Sequence, residues 1–260
     1  MYNFLIQAYY SYRGLFLWLN WPSYISNIVG RPVLFVVMFA FLGRFLRDPE
    51  AEQAYIIGMS IFSIPVIILG GVLQSFYRER VLGTLSVIFA SPGNRAVIFF
   101  SRALLHIPNG ILTAGLALLA GALFLSLQTP SVSWAGVVAS IIAVSISCAC
   151  FALFLGCLAI IVTDWFYLFS GSQGLMILVS GVIIPTESLP PFLEALGFLL
   201  PVTSGLAAMR SSFVGDDLIT IAPQLGLEIG VGAAYAVFGF GLYKWIEARA
   251  RRTGIREFAV

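Results

Sequence analysis

Six long apolar segments constrain this chain more than any other feature of its sequence. Each holds about 20 or more mostly apolar residues, and they occupy residues 24–45, 54–76, 97–127, 134–162, 165–184 and 220–243. A helix rises about 1.5 Å per residue, so a segment of this length can cross roughly 30 Å of hydrocarbon. Irregular backbone cannot face lipid, because its polar groups would stay unpaired there. The pattern predicts an all-α membrane protein with six transmembrane helices.

The shortage of charged residues supports a membrane location. Of the 260 residues, 60% are apolar and 10% are charged, whereas soluble proteins average about 25% charged residues. The 14 basic and 12 acidic residues cannot cover a water-exposed surface of this size. The formal net charge of +2 is too small for a nucleic-acid interface. We therefore expect a single transmembrane domain over residues 1–260 that contacts lipid and no nucleic acid.

The few reactive residue types exclude several kinds of site. Lys244 is the single lysine and has no glycine before it, so a phosphate-binding P-loop is excluded. His106 is the single histidine, which excludes a two-histidine zinc motif. Cys148, Cys150 and Cys157 share one apolar segment, and we interpret them as small packing residues. We expect no catalytic site, metal, cofactor or nucleotide-binding domain in this chain.

Basic residues between the segments predict the orientation, because they are retained on the cytoplasmic side. With both termini inside, the inner flanks hold Arg13, Arg78, Arg80, Arg95, Arg102, Lys244, Arg249, Arg251, Arg252 and Arg256. The outer flanks hold Arg44, Arg47 and Arg210. This asymmetry predicts a multi-pass protein of the cytoplasmic (inner) membrane with both termini cytoplasmic.

Residues 2–20 carry a narrow polar stripe. Asn3, Gln7, Ser11 and Gly14 are spaced by four, four and three residues, which places them along one edge of a helix. The stripe predicts a helix that lies in the inner interface with its polar edge toward the cytosol. An ordinary buried helix is the alternative.

Residues 185–219 form an outer segment that is too apolar for a solvated loop. Two apolar pieces, 190–200 and 202–213, are each too short to cross a bilayer, and Pro201 breaks the helix between them. The segment predicts a pair of short helices that enters and leaves on the outer side.

The inner connection at residues 79–92 reads ERVLGTLSVIFASP. Thr84 can cap a short helix after Gly83, and Pro92 follows its end. One face of this helix is apolar, formed by Leu85, Ile88 and Phe89. Such a face on the inner side needs a partner, although a turn packed on its own bundle is an alternative.

Ionisable residues within the apolar segments are costly, about 2.5 to 3.5 kcal/mol each for charged groups, and usually face a pore or a partner. Arg31 either does so or extends to the headgroups. We expect Glu228 to pair with Arg210. His106 precedes Pro108 by two residues, and we interpret it as satisfying a carbonyl freed by the proline rather than relaying protons.

Two motifs resemble one known family. The string E-R-x-x-G-T-L-x-x-I-x-x-S-P at residues 79–92 is similar to the segment after the second span of type 2 ATP-binding-cassette export permeases. The outer segment GVIIPTESLPPFLEALGFLLP, residues 181–201, resembles that family's segment between spans five and six. Span count, orientation and the interfacial first helix agree along essentially the whole chain. Val81 and Ser86 depart from the pattern, since an acidic residue is frequent there.

The resemblance implies a permease half that pairs with a second copy or a paralogous permease. It also implies two separate nucleotide-binding ATPase subunits, which bind ATP and Mg. The coupling helix in the ATPase cleft would involve Glu79, Arg80, Gly83, Thr84, Leu85, Ile88, Ser91 and Pro92. The outer gate would involve Pro185, Leu189, Pro190, Pro201, Arg210 and Glu228.

We therefore expect a transport subunit that exports a hydrophobic or amphipathic, drug-like or lipid-like compound. Export of lipid-linked glycans is the alternative within this class. An intramembrane lipid-modifying enzyme would need clustered acidic or histidine groups, whereas Asp164, Glu228 and His106 fall in different segments. A passive scaffold subunit is a further alternative.

Overall fold

The structure is a computed structural model that describes residues 21–83, 95–125, 131–162 and 164–253. In these ranges the regular structure is helical and contains no β-strand, which confirms the all-α prediction. The predicted interfacial helix at residues 2–20 lies outside the described residues. So do five residues of the predicted coupling helix, namely Thr84, Leu85, Ile88, Ser91 and Pro92.

The helices follow one another with short connections. Helix α1 (Trp21–Ile25) continues through a π-helix (Ser26–Gly30) into α2 (Arg31–Phe45). The next helices are α3 (Pro49–Val81), α4 (Arg95–Phe124), α5 (Trp134–Ile161) and α6 (Trp165–Val179). A 3-10 turn (Thr186–Ser188) precedes α7 (Pro191–Leu199), α8 (Thr203–Val214) and α9 (Leu218–Thr253).

Five helical segments are long and apolar enough to cross a membrane: Pro22–Phe45, Pro49–Val81, Ala103–Phe124, Trp134–Ile161 and Leu218–Arg249. Helix α6 is apolar but has only 15 residues, which reach about 22 Å. We predicted a fifth span at 165–184, and this boundary is wrong. The helix ends at Val179 because the chain turns at Ser180 and at Gly181, whose φ is +78°.

The outer segment contains the predicted bent pair of helices. Helices α7 and α8 meet at an angle of 91° across a break of a few residues. Pro201 lies in this break, and its lack of an N–H group prevents one helix from continuing through it. We call α7, α8 and the break between them the hairpin.

Helices α3 and α5 form the centre of the bundle. Most of their residues are buried, whereas α2 and α9 expose most of theirs. Buried hydroxyls on the central helices bond to their own backbone: Ser60 to Ile56 at 2.7 Å and Ser140 to Gly136 at 2.9 Å. These bonds satisfy polar groups that have no water available within a bilayer.

Two hydrogen bonds define the ends of the bundle. The Ser133 amide donates to the Ser212 carbonyl at 2.9 Å, so the start of α5 and the end of α8 lie together. The Arg80 guanidinium donates to the Val162 carbonyl, so the ends of α3 and α5 lie together at the opposite end, the Arg80 end. The orientation of the Arg80 end toward the cytosol stays a prediction.

Candidate functional site

A cavity of about 350 Å³ lies among α1, the π-helix, α2, α3, α4 and α6. Small-molecule sites in proteins usually measure about 300–1,000 Å³. The described residues that line it are Tyr24, Asn27, Ile28, Arg31, Val66, Ile67, Gly70, Gly71, Gln74, His106, Asn109, Trp165, Phe166 and Phe169. We call it the Arg31 cavity.

Local backbone geometry places polar groups on one wall of the Arg31 cavity. The Tyr24 hydroxyl donates to Asn109 Oδ1 at 2.9 Å and so joins α1 to α4. The Asn27 amide donates to the Ser23 carbonyl at 2.9 Å. Asn27 and Ile28 belong to the π-helix, whose wider turn changes the direction in which side chains leave the helix. Such turns are frequent at functional sites.

The cavity brings together Arg31 and His106, the two residues predicted to have a pathway or packing role. The Arg31 guanidinium carbon lies 5.7 Å from the centroid of the Phe35 ring, a cation–π contact. His106 is only 7% exposed, and its Nε2 atom has no hydrogen-bond partner among the described residues. The interpretation that His106 satisfies a carbonyl freed by Pro108 is therefore wrong.

A glycine on α3 makes room for the imidazole. A Cβ atom placed on Gly71 would lie 2.2 Å from His106 Cε1, closer than atoms can approach. The neighbouring Gly70 would contact Phe169 at an ordinary 3.4 Å. The backbone of α3 therefore forms part of the cavity floor, and the position of the His106 ring depends on Gly71.

Aromatic side chains at the start of α6 form another wall. The Trp165 ring centroid lies 6.0 Å from that of Phe166 and 5.8 Å from that of Phe169. Asp164 caps this helix, because its carboxylate accepts a hydrogen bond from the Phe166 amide at 2.9 Å. The cap fixes where the aromatic wall begins.

The charge in the Arg31 cavity is one-sided. Arg31 is the one charged side chain among the described residues that line it, and none of these is acidic. The polar groups beside it are amides, a phenol and an imidazole, and the rest of the lining is aromatic or aliphatic. Such a lining suits a molecule with one polar end and one apolar end.

A second set of contacts holds the hairpin against α9. The Glu228 carboxylate is fully buried and accepts hydrogen bonds from the Val202 amide at 2.9 Å and the Gly205 amide at 3.0 Å. These amides lie at the N-terminus of α8, which has no side-chain cap of its own. Val202 has a φ of +96°, an unusual value for a β-branched residue. A carboxylate of α9 therefore caps α8.

The predicted pairing of Arg210 with Glu228 is wrong. Among the described residues, Arg210 Nη2 instead donates to the Gly181 carbonyl at 2.7 Å. The bend at Pro201 exposes two backbone amides that stabilise the Glu228 carboxylate without a cation. Arg210 links α8 to the chain that follows α6.

The rest of the outer-gate set divides between the core and the surface. Pro201 is buried at the bend, Leu189 is half-buried, and Pro185 and Pro190 are exposed. The structure does not bring these residues to one place, and their role in a gate stays a prediction.

Two glycines allow the chain around the hairpin to pack closely. A Cβ atom on Gly58 of α3 would lie 2.5 Å from the Val182 carbonyl oxygen. A Cβ atom on Gly197 of α7 would lie 2.4 Å from the Val179 carbonyl oxygen. Both sites bring one backbone against another, so neither could accept a larger residue without movement.

Three predicted coupling residues lie within the described part of the chain. Glu79 and Arg80 are half-buried near the end of α3. Arg80 binds the Val162 carbonyl in the connection between α5 and α6. Gly83 follows α3 with a φ of +69°, as is common after helix ends. Arg80 therefore links the start of the predicted coupling segment to the neighbouring connection.

Metal-ligating residue types are dispersed. Within the described ranges, no group of three or more His, Cys, Asp or Glu side chains could hold a metal ion. Cys148 and Cys157 are buried, and Cys157 Sγ lies 3.7 Å from the Gly239 carbonyl oxygen of α9. These contacts agree with the interpretation of the cysteines as packing residues.

Sequence reasoning missed Tyr24, Gln74 and Asn109 as neighbours of Arg31. Each is a single polar residue near or within an apolar segment, and periodicity gave no sign that they meet. A useful signal was the presence of Arg31 and His106 at membrane depth, where ionisable groups are costly.

No curated protein and no solved structure matches the chain. The family model described as ABC-2 type transporter matches residues 6–214, which is most of the chain and includes both the Arg31 cavity and the hairpin. The all-helical, multi-pass architecture agrees with this match. The chain therefore belongs to the ABC-2 type transporter family, as a membrane permease.

Proposed function

We propose that this permease exports a hydrophobic or amphipathic compound, drug-like or lipid-like, across the cytoplasmic membrane. The observation that carries this proposal is the Arg31 cavity, which holds polar groups and aromatic rings among apolar helices. Its volume of about 350 Å³ suits a small molecule. Membership of the ABC-2 family implies a partnership with ATP-binding cassette subunits.

The energy would come from two separate ATPase subunits that bind ATP and Mg. Residues 79–92 would form the coupling helix and transmit closure of the ATPase pair to α3. The bond between Arg80 and the Val162 carbonyl supports this route, because it links α3 to the connection between α5 and α6. Each ligand can shift the balance of conformations only through its differential affinity for them.

The working assembly would contain two permease chains, either two copies of this one or one copy and a paralogue. Helices α2 and α9 support this arrangement because both expose large apolar side chains, including Leu34, Met38, Val237 and Phe238. Lipid would cover whatever part of these faces the second chain does not.

Export of a lipid-linked glycan is a second candidate. Trp165 and Phe166 lie in the same cavity as the amide side chains of Asn27, Gln74 and Asn109. Aromatic surfaces beside hydrogen-bonding groups are the arrangement we expect for sugars. The modest volume favours a small amphiphile over an extended glycan.

Ligand-stimulated ATP hydrolysis tests the proposal. The permease would be purified with the ATPase encoded beside its gene and reconstituted in nanodiscs. We expect small amphiphiles to raise hydrolysis severalfold, with no increase for the ATPase alone. A response only to a lipid-linked glycan would favour the second candidate. Hydrolysis that no amphiphile changes, with or without the permease, would contradict both.

A further inference from the structure

We propose that the Arg31 cavity binds an anionic amphiphile, with its oxygen-rich anionic headgroup at Arg31 and His106 and its apolar part against the α6 aromatic wall. The inference rests on the proposed export function, because it names the charge class of the exported compound. Binding itself can be measured without the ATPase.

The charge of the cavity favours an anion. Arg31 lines the cavity, and among the described residues it makes no ion pair; its recorded contact is the Phe35 ring. A guanidinium has five N–H donors and can form two parallel hydrogen bonds with a phosphate or a carboxylate. No acidic side chain among the described lining residues competes for it. A cationic ligand would meet repulsion from Arg31 with no compensating carboxylate.

The buried imidazole supplies an independent reason to expect a ligand. His106 lines the same cavity, is 7% exposed, and has an Nε2 atom without a partner among the described residues. Buried polar atoms in native proteins nearly always have a partner. A headgroup at Arg31 would supply one, and the amide side chains of Asn27 and Asn109 could bind its remaining oxygens.

The aromatic wall requires an apolar part in the ligand. Trp165, Phe166 and Phe169 line the cavity, with Val66 and Ile67 from α3. An inorganic anion would leave these side chains uncovered, whereas an alkyl or aryl group would bury apolar surface against them. An anionic headgroup on an apolar chain is a chemistry that membrane lipids share with soluble amphiphiles.

Three amphiphiles of equal chain length separate the contribution of charge. Hexyl phosphate, hexyl glucoside and hexyltrimethylammonium would each be titrated calorimetrically into purified permease in phosphatidylcholine nanodiscs, with protein-free nanodiscs as the blank. We expect hexyl phosphate to bind at least about tenfold more tightly than the other two, because it alone can form charge-assisted hydrogen bonds with Arg31. Equal binding of all three would overturn the proposal.

Arg31→Gln tests the cation directly. This change should weaken hexyl phosphate binding about ten- to hundredfold, because it removes charge-assisted hydrogen bonds. Lys244→Gln is the matched control, since it removes one positive charge from an exposed site on α9 and should leave binding unchanged. Unchanged binding by Arg31→Gln would also overturn the proposal.

Gly71→Ala tests the imidazole without altering any charge. The new methyl group would displace the His106 ring and should weaken hexyl phosphate binding several-fold. Gly115→Ala is its control, because no atom lies within 4 Å of a Cβ at that position of α4. Thermal unfolding would be measured for each variant. If Gly71→Ala does not fold, the Arg31→Gln result decides.

The source of the anion can be read from competition. In phosphatidylglycerol nanodiscs, weakened binding of hexyl phosphate would assign the site to a lipid headgroup, and unchanged binding would assign it to a soluble amphiphile. Both outcomes support an anion site. Absent binding beside intact ATP-driven transport would overturn this site alone, whereas intact binding without transport would overturn the proposed function alone.

Discussion

The Glu228 carboxylate accepts a hydrogen bond from the Gly205 amide at 3.0 Å and thereby joins α9 to the second helix of the hairpin. Its other oxygen accepts a hydrogen bond from Val202 at 2.9 Å. The side chain is fully buried, so water cannot replace either bond. The position of α8 therefore depends on one residue of α9.

Glu228→Ala should lower the free energy of unfolding by about 2–5 kcal/mol, because it leaves two buried amide donors unpaired. Glu228→Gln keeps one oxygen acceptor and should lose less. Thermal unfolding of the purified permease in detergent measures both changes. Glu50→Ala, at an exposed position, should have little effect. Equal stability of the Glu228→Ala and Glu50→Ala variants would show that this cap contributes nothing.

Gly58→Ala should destabilise the protein by about 1–3 kcal/mol, a usual range for overpacking. The new methyl group would meet the Val182 carbonyl oxygen at 2.5 Å and push the chain after α6 away from α3. Gly171→Ala is the control, because no atom lies within 4 Å of a Cβ there. The same unfolding measurement applies, and a Gly58→Ala variant as stable as Gly171→Ala would refute the close contact.

Lipid makes helix positions readable from sequence, because the bilayer fixes the length of each apolar segment. The predicted segments 97–127 and 134–162 correspond to helices Arg95–Phe124 and Trp134–Ile161. The run 165–184 failed because apolar composition does not distinguish a helix from the extended chain after Ser180. That chain is covered by α3 at Gly58, so its irregular backbone is protected.

The candidate site was less predictable than the helices. Arg31 and His106 stood out one at a time as ionisable groups within apolar segments, but their shared cavity depends on how α2, α3 and α4 pack. Arg210 and Glu228 were paired by opposite charge alone. The bend at Pro201 supplies backbone donors that charge counting does not consider.

Leu85→Asp should abolish permease-stimulated ATP hydrolysis while the permease still inserts into the membrane. This prediction rests on the sequence pattern, because a charge on the predicted apolar face would oppose seating in an ATPase cleft. Ser86→Asp is the control, since it adds the same charge to the same segment at a position where related permeases often carry an acidic residue. Full coupling in Leu85→Asp would mean that residues 79–92 do not seat in the ATPase.

Single cysteines at positions 94 and 253 should react only with reagents that enter the cytosol, because both flank the Arg80 end. Cysteines at positions 50 and 187 should react from outside. The background would lack Cys148, Cys150 and Cys157, and labelling in intact cells would be compared with labelling after permeabilisation. External labelling at position 94 would invert the predicted orientation.

The central claim is that this permease moves an amphipathic compound outward at the expense of ATP. The most direct measurement is uptake of a fluorescent anionic amphiphile into inside-out membrane vesicles that contain the permease and its ATPase. The account predicts accumulation that requires ATP and the permease, and that Arg31→Gln reduces several-fold. Accumulation that does not require the permease, or that occurs only in right-side-out vesicles, would contradict it.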